Sequence, residues 1–498
     1  MTACGQGRSE IVDILRTKNV EQSIRDTEAP EHRLRKRLTA TDLTVFGIGV
    51  IVGTGIFVLT GQVAKELAGP AVAVSFIVAA VVCGLAALCY AELASTIPVA
   101  GSAYTFSFAT LGEFPAWIIG WDLMLEMALA AAVVAVGWSG YFASLLSSLG
   151  LDLPASIAGE NATVNVPAMV VVLMLTGVLV AGIKLSSRVN LVIVTIKVAV
   201  ILLVIVAGLF FVKAANFSPF VPASIPTEQV SGLKAPLIQV LFGLTPVAFG
   251  VIGIFSAAAI VFFAFIGFDI VATAAEETIK PQRDLPRGII GSLTICTLLY
   301  VAVSLVVVGM QNYRELSTEA PLADAFTAVG QTWAATLISI GAIAGLTTVV
   351  MILMLGQTRV LFAMCRDGLL PRQLAKVHPR FGTPARLTVI IGVVAALLAG
   401  FISLGALAEL VNIGTLFAFV VVSAGVIILR RTRPDLPRSF RTPMVPVLPI
   451  LSVLACFYLM LNLPVETWLR FVVWMLIGAV LYFTYGYRHS RLAREAGS

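Results

Sequence analysis

The sequence predicts an all-α polytopic membrane protein with twelve transmembrane helices. Three observations carry that prediction. Of 498 residues, 59% are hydrophobic and only 12% charged, against about 25% charged in soluble domains. The mean hydropathy is +0.99. Apolar runs of spanning length, about 20 residues for about 30 Å of hydrocarbon, follow one another along the chain. This composition excludes disorder, a collagen-like fibre and a cytosolic enzyme.

In order, the runs fall at 42–63, 71–97, 114–147, 166–183, 188–212, 250–277, 288–310, 333–363, 385–403, 406–429, 445–463 and 467–486. Residues 1–40 read as a polar cytoplasmic tail, partly helical near the membrane surface and without a cleaved signal peptide. Residues 41–212 and 246–430 hold five spans each, 445–487 hold the last two, and 488–498 form a second cytoplasmic tail.

Basic residues set the orientation. With twelve spans, 26 of the 33 Lys and Arg fall on the side that holds both termini and 5 on the other. That side is therefore cytoplasmic. The net charge of +6 then reflects topology rather than nucleic-acid binding. The sequon Asn161-Ala162-Thr163 would lie outside and reads as a chance match. The six cysteines show no metal-ligand spacing and read as small packing residues. His32, His378 and His489 all lie in hydrophilic stretches, which excludes an intramembrane histidine relay or histidine-ligated haem.

Glycine marks the first functional candidate. Gly47, Gly49, Gly53 and Gly55 crowd the first span, each costing a helix up to about 1 kcal/mol relative to alanine. Gly49 and Gly53 form a GxxxG, so close helix packing is one reading. An unwound site is the other, and the polar Thr54 beside Gly55 favours it. The sixth span reads Phe262-Phe263-Ala264-Phe265-Ile266-Gly267-Phe268-Asp269, with Glu276-Glu277 following. Asp269 precedes Lys280 by 11 residues, about 16 Å at 1.5 Å per residue, which is midplane depth. A carboxylate there costs at least about 2.5–3.5 kcal/mol. Its expected role is an N-cap on a helix restarting after Gly267.

Interrupted helices in spans one and six point to an inverted-repeat secondary transporter with a midplane site. Free N–H groups of one break would hold a carboxylate, and free carbonyls of the other would accept from an ammonium. A zwitterionic amino acid carries both groups.

Lys197 lies nine residues past Arg188, about 13–14 Å deep. It reads either as a structural cation on carbonyls of the broken first helix or, preferably, as a protonatable group coupled to substrate binding. Asp122 and Glu126 share one face of the third span; Glu126, the deeper, is the better functional candidate, with a satisfied packing contact as the alternative. Arg359, with Glu276, Glu277, Arg283 and Asp284, would form a cytoplasmic ion-pair network acting as gate or anchor. No phosphate-binding loop, zinc-protease motif or nucleophile elbow lies in a suitable context.

These residues resemble a known group. Gly53-Thr54-Gly55-Ile56-Phe57 is similar to the first-span signature of the amino acid–polyamine–organocation superfamily. Phe263 through Asp269, with Glu276-Glu277, Pro281, Arg283, Leu285 and Pro286, resembles its sixth-span signature. Gln357-x-Arg359 and Arg366-Asp367-Gly368 through Pro371 resemble the bacterial branch of the cationic amino acid transporter family. The similarity runs from about 34 to 487. It implies a five-plus-five inverted repeat plus two extra helices, with spans one and six broken.

The resemblance also implies roles. The substrate carboxylate would sit on Ile51, Thr54 and Gly55 at the first-span break, with Gly53 between them. The amine would sit on Phe263, Ala264 and Ile266, with Phe265 in the same motif and the Phe263 ring as a gate. Lys197 and Glu126 would serve proton coupling; Asp269, Glu276, Glu277 and Arg359 would gate or brace. The implied function is proton-coupled uptake of cationic or small neutral L-amino acids, without a cofactor. An amino acid or polyamine exchanger and a non-transporting sensor are the rivals. A cationic side chain would want Glu126, Thr347 or Thr348 in its pocket; a neutral one, a tight apolar wall. The expected partners are the amino acid substrate and the lipid bilayer, with a small membrane subunit as a further candidate. No obligatory heavy-chain partner is expected, because the outer loop after span three has no cysteine.

Overall fold

A computed structural model describes residues 16–17, 36–99, 101–154, 156–159, 162–182, 187–226 and 232–491. Most of the N-terminal tail, Asn161 of the sequon and the end of the C-terminal tail lie outside the described residues.

The chain is all-α, and a helix lies at each of the twelve apolar runs. We label them α1 (Ala40–Ile51), α2 (Val72–Thr96), α3 (Glu113–Ser148), α4 (Val166–Val180), α5 (Ser187–Gly208) and α6 (Gly250–Val261). They continue as α7 (Pro281–Met310), α8 (Thr332–Arg366), α9 (Ala385–Phe401), α10 (Leu404–Thr432), α11 (Val447–Leu461) and α12 (Val465–Leu481). Among the described residues, eight helical stretches are long and apolar enough to cross a membrane, and α1, α4, α9 and α11 are shorter apolar helices. Between α5 and α6, the two-residue strands Ile225–Pro226 and Val247–Ala248 pair antiparallel, with Ile225 opposite Ala248.

Local chemistry starts these helices where they start. The Asp42 N–H donates to the Thr39 hydroxyl and the Asp42 carboxylate accepts from the Thr39 N–H (2.9 Å), a reciprocal cap on α1. Asn165 caps α4 by accepting from the Ala168 N–H at 3.2 Å. Pro281 opens α7, with Asp284 in its first turn.

Packing sorts the helices into two groups of four. In one, α7 packs on α1 and α2, and α2 packs on α6; in the other, α3, α4, α8 and α9 all pack on one another. The remaining pair, α5 and α10, touches both groups: α5 meets α1, α7 and α8, and α10 meets α2 and α3. The first group is also joined end to end. Arg37 and Leu38 N–H, just before α1, both donate to the Glu277 carbonyl (2.8 and 3.0 Å), and the Ile279 N–H donates to that of Leu38. On the same end, Glu92 of α2 is gripped by Arg430 of α10.

Candidate functional site

Helix α1 has 12 residues, about 18 Å at 1.5 Å each, and stops partway through a bilayer of about 30 Å. The Val52 N–H makes the last bond back, to Ile48 O at 2.9 Å. Val52 itself is extended (φ −71°, ψ 95°). The ladder resumes when Ile56 and Phe57 donate to Gly53 O at 3.2 and 3.3 Å. The second half of the span runs through Gly55–Leu59, Thr60–Val63 and Ala64–Ala68, with widened turns at both ends.

The sixth span breaks in the same way. After α6, a 3₁₀ turn covers Phe262–Phe265, Ile266 is extended (φ −62°, ψ 137°), and a 3₁₀ helix resumes over Ile270–Glu277. Gly267 sits at φ +121°, open to glycine and rarely to other residues. Asp269 stands at the N-cap position, but its side chain makes no forward cap. Its carboxylate instead accepts from the Gly267 N–H behind it, at 3.2 Å. This corrects the expected cap: the carboxylate braces the turn that breaks the helix, because the left-handed Gly267 turns its N–H toward it.

The breaks abut. A methyl group on Gly55 would collide with the Cα, Cβ and backbone N of Ala264. One on Gly267 would lie 2.7 Å from Val50 Cγ1 and 3.3 Å from the Ile51 N. Beside this contact is a small cavity. One side is made by Val50, Ile51, Gly53, Thr54 and Gly55 together with Phe263 and Ile266 of the sixth-span break. The other is made by Ala130 and Val134 of α3 and Val349 and Leu353 of α8.

Several carbonyls at the breaks are occupied. Lys197 Nζ donates to Gly49 O (2.7 Å) and Val52 O (3.2 Å), and the Tyr300 hydroxyl to Ile51 O (2.7 Å). Tyr141 donates to Phe57 O (2.6 Å). Across the site, Asn412 Nδ2 of α10 donates to Ala259 O and Ile260 O, both 2.9 Å. Lys197, Tyr300 and Asn412 thereby quench the negative end of each first half-helix. What faces the cavity is the opposite pole, the start of the second half-helix at Thr54 and Gly55. The Thr54 hydroxyl there is fully buried and has no hydrogen-bond partner among the described residues. An N-terminal helix end with a spare hydroxyl suits a carboxylate.

The structure thus brings Ile51, Gly53, Thr54, Gly55, Phe263 and Ile266 to one cavity. Ala264 contributes the backbone that meets Gly55, while the Phe265 ring turns away, packing against Phe76 and Tyr300. Lys197 is buried and adopts the carbonyl-bound geometry of the structural reading. Gly49 supports close packing, since a methyl there would lie 2.8 Å from Val194 Cγ2 of α5; Gly53 instead lines the cavity. Glu126 is buried outside the lining, within electrostatic reach of Asp122 and Asp269. From the expected cytoplasmic network, Arg359 pairs with Glu277 at 3.4 Å, both part-exposed, and Glu276 is half-buried alongside. Thr347 and Thr348 bond within α8, to Ile343 O and Gly345 O, and Thr347 also accepts from the Trp138 indole N–H. Neither lines the cavity.

Sequence reading missed Tyr300, Tyr141, Asn412 and the four wall residues. Of these, Asn412 alone carried a signal, as a lone amide inside an apolar span.

The family model described as amino acid permease matches residues 38–483. The methylthioribose transporter of Bacillus subtilis (strain 168) is 49% identical to this chain, covering 92% of the chain and 95% of that protein. The branched-chain amino acid permease BcaP of the same organism is 48% identical, covering 96% and 99%. The vacuolar cationic amino acid transporter 2 of Arabidopsis thaliana is 39% identical, covering 88% and 66%.

Proposed function

Because this chain belongs to the amino acid permease family, we propose that it is a secondary active transporter importing an amino acid together with a proton. The observation that carries this reading is the meeting of two helix breaks at one buried cavity, with the Thr54 hydroxyl spare inside it. In this reading the substrate carboxylate binds at Thr54 and Gly55, and its ammonium binds main-chain carbonyls near Phe263, Ala264 and Ile266. Breaks of this kind are tolerated at membrane depth where they line a cavity.

The packing supports a reading by alternating access. The group α1, α2, α6 and α7 rocks against α3, α4, α8 and α9, while α5 and α10, which touch both, flex between them. The two sets of five helices form an inverted repeat, the twelve helices all cross, and both termini face the cytoplasm. Each side of the site then draws on both repeats, and the Arg359–Glu277 pair spans the two groups at their cytoplasmic ends. Lys197 carries the coupling: protonated, it holds the carbonyls of α1 from α5 and keeps the break in its binding geometry; neutral, it weakens that hold. No sodium ion or cofactor is required.

The relatives' names cover branched-chain and cationic amino acids and methylthioribose, and a grip on α-groups is indifferent to the side chain. The test is uptake into liposomes holding purified protein, with labelled amino acids and methylthioribose, with and without an inward proton gradient. Gradient-stimulated accumulation of an amino acid is expected. Accumulation of methylthioribose alone would defeat the amino acid reading. One observation favours an exchanger as the second reading: the Lys197 ammonium is already engaged by two carbonyls, as a fixed structural cation would be. Counterflow that requires internal substrate and ignores the gradient would select it.

A further inference from the structure

The connection from α8 to α9 carries cations and no acids. Arg372, Lys376, Arg380 and Arg386 all lie on it or in the first turn of α9, and no Asp or Glu occurs between Asp367 and Glu409. All four are exposed, and none has an ion-pair partner among the described residues. Arginines at the same end of the bundle are otherwise engaged: Arg430 and Arg438 with Glu92, Arg433 with Asp435, Arg359 with Glu277. The connection is also held in shape. The His378 N–H donates to Thr383 O (2.8 Å), the Gly382 N–H to His378 O (2.9 Å), and the Thr383 hydroxyl to Val180 O at the end of α4 (2.8 Å). The Arg380 guanidinium lies 5.7 Å from the centre of the Phe381 ring. Val377 and Phe381 are themselves 53% and 38% exposed. Helices α4 and α9 pack together and turn Val170, Met174, Ile390 and Val394 outward, a lipid-facing surface that runs up to the cations.

We propose that this corner binds an anionic phospholipid of the adjoining leaflet, the cytoplasmic one in the orientation given above. Lys376, Arg380 and Arg386 hold the phosphate, Val377 and Phe381 enter the headgroup region, and the acyl chains lie along α4 and α9. Arginine forks suit phosphate oxygens, and each cation near an anionic surface is worth about fivefold in binding. A zwitterionic headgroup brings its own ammonium into the acid-free patch and gains less. Free phosphate would satisfy the charge but leave the exposed Val377 and Phe381 and the apolar flank of α4 and α9 without a counterpart.

The test is lipid binding by the full-length protein in a neutral detergent. Phosphatidylglycerol, phosphatidylcholine or inorganic phosphate is added, with retained lipid read by native mass spectrometry and stability by thermal unfolding. Phosphatidylglycerol is expected to be retained at least about fivefold better than phosphatidylcholine and to raise the unfolding temperature, while inorganic phosphate does neither. The double variant Lys376→Gln, Arg380→Gln is expected to lose that preference by at least about fivefold, whereas Arg433→Gln keeps it. Equal retention of the two lipids, or an unchanged preference in the folded double variant, would overturn the inference. Inorganic phosphate stabilising as well as phosphatidylglycerol would overturn the lipid as occupant. The wild type also answers alone: about 1 M salt, where the Debye length is about 3 Å, should abolish the stabilisation, and its survival would count against the cations. Neither readout depends on transport, so failure here leaves the permease reading untouched.

Discussion

Gly55 and Ala264 touch so closely that the space a methyl group on Gly55 would need is filled by Ala264 backbone. Backbone cannot swing aside as a flexible side chain can, so the two half-helices would have to part. Gly55→Ala is expected to cost about 1–3 kcal/mol of stability and to reduce uptake by at least an order of magnitude. Thermal unfolding in detergent and liposome uptake measure the two effects. Wild-type transport in Gly55→Ala would show that the contact is not part of the site.

Thr54 offers a cleaner separation of binding from folding. Its hydroxyl is buried without a partner among the described residues, so Thr54→Val removes an unsatisfied group at nearly constant shape. Stability should stay equal or rise. Affinity should fall by about 1.5–3 kcal/mol, the worth of a hydrogen bond to a charged group. Thermal stabilisation by substrate, measured over a concentration series, reads both quantities in one experiment.

Lys197 is predicted to separate coupling from exchange. In Lys197→Ala, uptake driven by a proton gradient should be lost, while substrate-for-substrate counterflow persists at a reduced rate. Full gradient-driven uptake in the variant would end the coupling role. Loss of counterflow as well would assign Lys197 to the carbonyls of Gly49 and Val52 alone.

A fourth prediction concerns stability away from the cavity. Glu92 is 1% exposed; Arg430 donates to both its oxygens (2.8 and 2.6 Å) and the Thr442 N–H donates at 2.7 Å. Arg438 stands 3.5 Å away. Glu92→Ala should cost about 3–5 kcal/mol, because it strands buried cation and main-chain donors. Arg433→Ala, which breaks a largely solvated pair with Asp435, should change stability by less than about 1 kcal/mol. Parallel unfolding curves distinguish the two.

Much of the site was legible because membranes punish certain residues visibly. Four glycines in the first span, Gly267 beside Asp269 in the sixth, and Lys197 alone in the fifth are each costly in hydrocarbon. The partners that meet those costs were not legible. Tyr300 lies 249 residues from the Ile51 carbonyl it caps, and Asn412 lies 153 from that of Ala259. Tyrosine in an apolar helix looks the same whether it caps a carbonyl or merely packs. The direction of the Asp269 hydrogen bond was hidden for another reason. It depends on the left-handed backbone of Gly267, which residue identity permits but does not specify.

By itself, the sequence determined that the chain is a bundle of apolar helices, about where each lies, and which two carry residues that disfavour an unbroken helix. These follow from local composition, since hydropathy, glycine and charge act over a turn or a span. Tertiary structure alone decided that the two breaks meet, that distant donors occupy their carbonyls, and that an apolar wall faces the spare Thr54 hydroxyl. Those relations join helices far apart in the chain, and alanine, valine and leucine read identically whether they face lipid, a neighbouring helix or a cavity.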